Sequence, residues 1–226
     1  LKSLRNMPEA TRRRFFEGKY VDAIEGALWT LDGLQLCRVD QILPDDAGRK
    51  LADFQRIVIG VDPSGAQSKN SLKSDDIGIV VAGKRHGKDG AAVILEDGTM
   101  LGSPKEWATR VVALRKKWGA DMIVAEANYG GGMVEGTIKA IDSSAPVRLV
   151  NATRGKIIRA EPVAALYDDG RVRHAGRFAG LEEELCLFAR EGYLGERSPN
   201  RADAAIWAIT DLMLGTHSRY TLQYVS

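Results

Sequence analysis

The stretch Ile57-Val58-Ile59-Gly60-Val61-Asp62-Pro63-Ser64-Gly65 decides the fold. It is a short β-branched run that ends in an aspartate before turn-forming residues, a pattern typical of a buried central strand. Ligands of α/β proteins bind in the crevice beyond the carboxyl ends of the strands. We therefore expect Asp62 to project into that crevice, where a carboxylate is well placed to hold a metal ion.

Size and charge set the first limits on function. The chain has 226 residues, 44% of them hydrophobic, which is enough to bury a full core and more than one typical domain needs. We expect one domain with an appendage. The 32 Lys and Arg residues nearly balance the 30 Asp and Glu residues, so the formal charge is only +2. The whole-chain charge therefore does not indicate a nucleic-acid partner, and any basic surface must be local.

Cysteine usage and hydropathy indicate the setting. Cys37 and Cys186 are the only cysteines, and they form no CxxC motif and no Cys/His cluster. This argues against a zinc site or a disulfide framework and favours a reducing, cytoplasmic environment. No apolar run reaches membrane-spanning length and no signal peptide is visible, so we expect no membrane partner. Because the chain begins at Leu1 rather than methionine, we expect it to be cut from a longer polypeptide.

Residues 1–56 differ from the rest of the chain. They contain the basic run Arg12-Arg13-Arg14 and the turn-prone Pro44-Asp45-Asp46. Their apolar residues follow neither the period of a helix nor that of a strand over any sustained length. We interpret them as a linker or connector remnant. Residues 57–226 carry an α/β pattern and are expected to form the folded domain.

Three strand candidates open that domain, at residues 57–61, 77–82 and 91–96, with turn-prone segments between them that favour antiparallel pairing. Further strands are predicted over 122–125, 147–150 and 172–174. Helices are predicted over 104–117, 133–141, 155–168, 181–189 and 202–214. This order describes an α/β fold with a mixed central sheet, antiparallel in its first three strands and then parallel, flanked by helices.

Three acidic residues far apart in sequence are candidates for one site. Asp62 ends the first strand, Glu126 ends the strand at 122–125, and Asp203 lies at the start of the last helix. If the two strands are neighbours, their ends place Asp62 and Glu126 side by side. Clustered carboxylates repel one another and persist at neutral pH chiefly when divalent cations neutralise them. Hard oxygen ligands favour Mg²⁺ or Mn²⁺, and two such ions about 4 Å apart would support hydrolysis of a phosphodiester.

Each acid also has a purely structural interpretation. Asp62 before Pro-Ser-Gly is a common turn former, and Asp203 in the first turn of a helix favours the macrodipole. Glu126 is harder to explain in this way, because a buried charge without a partner is costly. Asp76 is a possible auxiliary metal ligand, whereas Asp75 is better explained as a solvated turn residue.

A local basic region lies between residues 148 and 177, with seven basic and three acidic residues. Lys156 and Arg159 are spaced to share one helical face, from which they could contact phosphates on either side of a scissile bond. Arg154 belongs to the same region, and Arg171 and Arg173 would extend the track along a strand. The alternative for each residue is a solvated face.

Five segments together resemble a known family. They are Val61-Asp62-Pro63-Ser64-Gly65, Ser74-Asp75-Asp76-Ile77-Gly78-Ile79, Ala125-Glu126-Ala127-Asn128-Tyr129-Gly130-Gly131, Arg154-Gly155-Lys156-Ile157-Ile158-Arg159-Ala160 and Arg201-Ala202-Asp203-Ala204. In this order they resemble the C-terminal nuclease domain of the large terminase subunit of tailed bacteriophages, which has an RNase H-like fold. The resemblance covers most of residues 57–226, and residues 28–43 resemble the connector that follows the ATPase motor in that family.

The resemblance implies an endonuclease that cuts concatemeric double-stranded viral DNA with two ions, Mg²⁺ or Mn²⁺. By motif position Asp62 would bridge the ions, Glu126 and Asp203 would complete the site, and Lys156 matches a basic residue of the family. It also implies the small terminase subunit and the portal as partners of the full-length protein, and the cytoplasm of an infected bacterial host as its location. The chain has no Walker A sequence, so the translocating ATPase is not expected in it.

Three alternatives stay open at this stage. A sugar kinase of the actin-like fold would need a duplicated domain, for which the chain is too short. A Holliday junction resolvase-like nuclease would prefer four-way junctions over linear duplex. A non-catalytic DNA-binding packaging scaffold would show salt-sensitive DNA binding without metal-dependent strand scission.

Overall fold

The computed structural model of the chain describes residues 24–63, 76–87, 90–127, 131–153 and 155–215. Seven strands form the main sheet: β1 (Arg38–Val39), β2 (Phe54–Asp62), β3 (Gly78–Arg85), β4 (Ala92–Asp97), β5 (Met122–Glu126), β6 (Val147–Val150) and β7 (Val172–Ala175). Strands β8 (Phe188–Ala189) and β9 (Gly192–Tyr193) form a small second sheet. The helices are α1 (Leu31–Leu36), α2 (Pro104–Trp118), α3 (Gly131–Ile141), α4 (Lys156–Asp168), α5 (Ala179–Cys186) and α6 (Asn200–Met213).

The main sheet is mixed, with the order β1-β7-β4-β3-β2-β5-β6. Its first three long strands are antiparallel neighbours, β2 with β3 and β3 with β4. The remaining pairs, β2 with β5, β5 with β6, β4 with β7 and β7 with β1, are parallel. This confirms the predicted α/β fold with a mixed central sheet.

Helices cover both faces of the sheet, and strand β2 shows how the sequence allows this. Ile57 and Ile59 point to the face packed by α2, whereas Val58 points to the face packed by α4 and α6. All three side chains are fully buried. A strand buried on both faces reads as a continuous apolar run rather than an alternating one, which is why the stretch stands out in the sequence.

The helix boundaries follow from local signals. Helix α2 begins with Pro104, after Ser103, whose backbone N–H donates to Glu106 Oε2 at 2.8 Å. It ends at Gly119, which has the left-handed backbone conformation (φ 58°) that glycine adopts without strain. The predicted helix over 104–117 is confirmed.

Two glycines allow α6 to lie directly on the sheet. A Cβ at Gly60 would stand 2.0 Å from the carbonyl oxygen of Ala204, and a Cβ at Gly78 would stand 1.8 Å from that of Asn200. Any other residue at these positions would push the helix away from β2 and β3. The first turn of α6 is thereby held over the carboxyl end of β2.

Some local elements differ from the sequence predictions. Within residues 24–53 the structure has α1 and β1, and Leu34 of α1 is buried in the core. The helix predicted over 181–189 is wrong at its end: α5 stops at Cys186, and Phe188–Ala189 pairs with Gly192–Tyr193. Gly192, with φ of 146°, permits the tight reversal of the chain.

Among the described residues, no helix is long and apolar enough to span a membrane.

Candidate active site

Asp62 and Glu126 lie at the ends of two adjacent strands. Strands β2 and β5 are parallel, and Val61 is the register partner of Ala125, so the next residue of each strand is one of the two acids. Side chains alternate along a strand, so Asp62 shares the face of Val58, and Glu126 that of Val124. This is the face covered by α4 and α6. The side chain of Asp62 is buried, with 2% exposure, and Glu126 is partly buried.

Asp203 reaches the same edge from the helix layer. It lies in the first turn of α6, between Asn200, which packs on Gly78, and Ala204, which packs on Gly60. Since Gly78 is the register partner of Asp62, this part of α6 lies over the end of β2. Asp203 is 1% exposed. The structure thus places all three predicted acids on one face and at one edge of the sheet.

Two cations from α4 point into this group of acids. The Lys156 ammonium pairs with Asp203 Oδ2 and lies 3.3 Å from Ser198 Oγ. The Arg159 guanidinium bridges two carboxylates, with 3.4 Å from Nη1 to Glu126 Oε2 and 3.4 Å from Nη2 to Asp203 Oδ1. Lys156 is 39% exposed, but Arg159 is only 10% exposed, so its guanidinium faces the acids rather than solvent.

Trp207 also belongs to the site, although it is not among the residues predicted from the sequence. Its indole Nε1–H donates to Glu126 Oε2 at 2.9 Å, and the Arg159 guanidinium lies 4.6 Å from the centre of its ring. The signal in the sequence is the spacing, because Trp207 follows Asp203 by four residues and therefore shares its side of α6.

The electrostatics of Asp203 reflect its burial. Desolvation raises the pKa of Asp203 above its usual value, the Lys156 ammonium and the Arg159 guanidinium lower it in part, and Glu126 raises it. The ionised form of this carboxylate is therefore costly in the folded protein. A cation close to the carboxylate reduces that cost, which is the role that Lys156 and Arg159 have in this structure.

The donor set suits a hard divalent cation, since it consists of carboxylate oxygens held in a mostly buried setting. Within the described ranges, however, no three acidic, His or Cys residues are already grouped closely enough to hold an ion. Asp203 is instead paired with Lys156, and Arg159 spans Glu126 and Asp203. The carboxylate oxygens fit a metal chemically, and beside Asp203 an ion would take the place of the Lys156 ammonium.

Asp76, predicted as an auxiliary ligand, is engaged by the start of α6. Its Oδ2 lies 3.1 Å from Nη2 of Arg201, and its backbone carbonyl accepts a hydrogen bond from the Asn200 side chain. Arg201 also contacts Asp97 Oδ2 at 3.3 Å and Glu184 Oε1 at 3.0 Å. Arg201, which is not among the site residues predicted from the sequence, therefore ties the start of α6 to three acidic side chains.

The other predicted DNA contacts are separated from the acids. Strand β7 runs parallel to β2. The register partners across the sheet connect Val172 at the start of β7, through Ala92 and Lys84, to Arg56 of β2. Arg56 precedes Asp62 by six residues. At about 3.3 Å per residue along the strands and about 4.8 Å between neighbouring strands, six residues and three strand spacings put the start of β7 about 25 Å from Asp62.

Arg171, just before β7, is exposed, whereas Arg173 is partly buried beside Cys37. The structure therefore does not bring Arg171 or Arg173 to the acids, so they do not continue the row of Lys156 and Arg159. Arg154 and Asp75 lie outside the described residues.

The sheet is mixed, two acids end its central strands, and the helix that covers them carries a third acid. This arrangement defines an RNase H-like α/β domain. Comparison with known proteins gives the family. The family model described as the Terminase RNaseH-like domain matches residues 59–213, and the chain belongs to this family. No curated protein matches the chain in sequence.

Solved structures share the fold. The large terminase nuclease of the thermophilic phage G20c has 15% identity and a TM-score of 0.58, covering 82% of this chain and 98% of its own. The nuclease domain of gp2 from bacterial virus Sf6 has 18% identity and a TM-score of 0.55, covering 81% and 98%.

The human cytomegalovirus terminase nuclease domain has 13% identity and a TM-score of 0.54, covering 79% and 92%. The G20c nuclease has been solved with magnesium, zinc or cobalt bound. These likenesses confirm the predicted RNase H-like fold.

Proposed function

We propose that this chain is the metal-dependent endonuclease domain of a viral DNA-packaging terminase large subunit, and that it hydrolyses phosphodiester bonds of concatemeric double-stranded DNA. The observation that carries the proposal is the placement of Asp62 and Glu126 at adjacent strand ends, on the face where α6 brings Asp203. Membership of the Terminase RNaseH-like domain family supports it.

The three acids are the proposed ligands of two divalent ions, Mg²⁺ or Mn²⁺. Asp62 ends β2, which lies between β5 and β3, so it is the central member of the set and the one suited to both ions. Glu126 from β5 and Asp203 from α6 complete the set. Bound divalent ions supply Lewis-acid stabilisation of the charge that develops on the phosphate during an in-line displacement.

The basic residues have separate proposed roles. Lys156 is partly exposed beside Asp203, so its ammonium is placed to turn from that carboxylate to a DNA phosphate. Arg159 is largely buried between Glu126 and Asp203 and neutralises them in the absence of DNA. Arg154 and the distant Arg171 and Arg173 are proposed only as contacts to the flanking duplex.

The biological setting is also a proposal. The chain would act on double-stranded DNA in the cytoplasm of an infected bacterial host, with the small terminase subunit and the portal as partners of the full-length protein. In support, the chain aligns with 43% of the HK97 bacteriophage large terminase at a TM-score of 0.56 and 13% identity.

Nicking of supercoiled plasmid in Mn²⁺ tests the proposed activity. Asp62→Asn, Glu126→Gln and Asp203→Asn should each abolish nicking while circular dichroism shows an intact fold. The matched control is Glu135→Gln, which neutralises a carboxylate on α3 that pairs, within the described residues, with Lys139 of the same helix. This variant should nick at the wild-type rate. Full activity in all three site variants would refute the metal site.

Two further measurements separate the alternatives. Cleavage of four-way junctions in preference to linear duplex would identify a resolvase-like nuclease. Salt-sensitive DNA binding without any metal-dependent scission by the wild-type chain would identify a packaging scaffold.

A further inference from the structure

Glu126 is held by two different groups on its Oε2 atom. The Trp207 indole N–H donates to it at 2.9 Å, and Nη1 of Arg159 lies at 3.4 Å. A glutamate side chain has several rotatable bonds, so a free carboxylate at the end of β5 would sample many positions. Two donors from α4 and α6 restrict it to one.

Arg159 contacts Trp207 and both carboxylates at once. Its guanidinium stacks on the Trp207 ring at 4.6 Å and places its two terminal nitrogens on Glu126 and Asp203. Its buried Nε has no hydrogen-bond partner among the described residues. The planar fork of arginine is what fixes the separation of the two carboxylates, which a lysine ammonium could not do.

From these contacts we propose that Trp207 and Arg159 are positioning residues for the candidate metal site: together they fix the Glu126 carboxylate relative to Asp203 and thereby raise the affinity of the site for divalent ions. The inference rests on the proposed function, because it assumes that Glu126 and Asp203 are ligands. Neither positioning residue contacts the reacting phosphate in this scheme. Hydrogen-bond partners of metal ligands typically contribute 10- to 100-fold to metal affinity.

The structure supplies a control for the hydrogen bond. Trp118 Nε1 donates to Glu96 Oε2 at 2.7 Å, on the opposite face of the sheet from the three acids. Trp118→Phe removes the same type of bond, from an indole to a glutamate, at a place without the proposed ligands. Its effect on stability should therefore resemble that of Trp207→Phe, while its effect on metal binding should not.

The test is isothermal titration of Mn²⁺ into the wild-type chain and into Trp207→Phe, Arg159→Lys and Trp118→Phe, without DNA. The phenylalanine keeps a ring under Arg159 and removes only the indole N–H, and the lysine keeps the charge and removes the fork. We expect about tenfold weaker Mn²⁺ binding for Trp207→Phe and for Arg159→Lys, and unchanged binding for Trp118→Phe. In nicking assays, raising the Mn²⁺ concentration should restore the rate of both site variants, and KM for DNA should stay unchanged.

The outcomes distinguish the two proposals. If the wild-type chain binds no Mn²⁺, the proposed function fails. If the wild type binds Mn²⁺ and both site variants bind it equally well, the proposed function stands and the positioning role is refuted. If one of the site variants does not fold, the affinity of the other decides, since each removes one of the two groups that hold Glu126.

Discussion

The backbone of Gly60 in β2 lies against Ala204 in α6, so closely that a Cβ on Gly60 would stand 2.0 Å from the Ala204 carbonyl oxygen. Ala204 is the residue after Asp203. The position of an acidic side chain over the sheet therefore depends on the absence of a side chain in the strand below it. Packing of this kind is rigid, because protein interiors leave few voids into which a displaced group can move.

Gly60→Ala should consequently disturb both stability and the site. The added methyl group meets backbone rather than a flexible side chain, so α6 must move, and we expect a loss of about 3 kcal/mol in the free energy of unfolding. Urea denaturation measures this loss. Gly136→Ala, in α3, is the control, since its Cβ meets nothing within 4 Å and it should stabilise the chain by roughly 0.5–1 kcal/mol. Equal stability of Gly60→Ala and the wild type would show that α6 is not seated as described.

Asp76 should behave as a structural residue rather than a metal ligand. Its carboxylate pairs with Arg201 at 3.1 Å, and Asn200 holds its backbone carbonyl, so its contacts secure the start of α6. We expect Asp76→Asn to lower the stability by about 1 kcal/mol and to leave Mn²⁺ affinity within twofold of the wild type. Titration calorimetry and urea denaturation on the same sample measure both quantities. A tenfold weaker affinity at unchanged stability would instead restore Asp76 as a ligand.

The central strands could be predicted because their signals are local. The β-branched run 57–61 is apolar on both faces, and the acid that follows it marks the strand end. The pairing of β2 with β5 joins residues more than 60 positions apart, and the sequence does not reveal it. The sequence therefore predicts that Asp62 and Glu126 meet only if the two strands are neighbours. Strand β1 has two residues and α1 has six, which is too short for a periodic pattern.

The orientation of α4 shows a second limit. The spacing of Lys156 and Arg159 indicates that they share one side of the helix, but periodicity does not reveal whether that side faces solvent or the sheet. The sequence therefore predicts phosphate contacts, whereas the structure pairs Lys156 with Asp203, and Arg159 with both Glu126 and Asp203. For the same reason Trp207 had no visible role, because its partner is 81 residues away in the chain.

Glu182 should make the stability of the chain depend on pH. Burial alone would raise the pKa of Glu182, but hydrogen bonds from His174, Arg38 and the backbone of Phe178 outweigh it and lower the pKa to about 2. When the pKa of a carboxyl is lower in the folded than in the unfolded state, its ionised form stabilises the fold at pH values above the unfolded-state pKa, which is near 4.5. This stabilisation is lost as the pH falls toward 2.

Glu182→Gln should accordingly destabilise the chain by up to about 3 kcal/mol at pH 7, and by progressively less as pH falls below 4.5. Urea denaturation at pH 7, 5 and 3.5 measures the difference between variant and wild type. The adjacent and exposed Glu183 provides the control, and Glu183→Gln should change stability by less than about 0.5 kcal/mol. A difference for Glu182→Gln that is the same at all three pH values would contradict the assignment.

Arg171 should contribute to DNA affinity without contributing to the cleavage step. It is exposed at the end of the sheet opposite Asp62, about 25 Å away, which corresponds to about seven base pairs of duplex. A phosphate contact there would release about one counterion, so Arg171→Ala should reduce the slope of log Kd against log salt by about 1. Fluorescence anisotropy with a labelled duplex at several salt concentrations measures the slope. The single-turnover cleavage rate at saturating DNA should stay at the wild-type value; a tenfold slower rate would place Arg171 near the reacting phosphate, where the register of the strands does not put it.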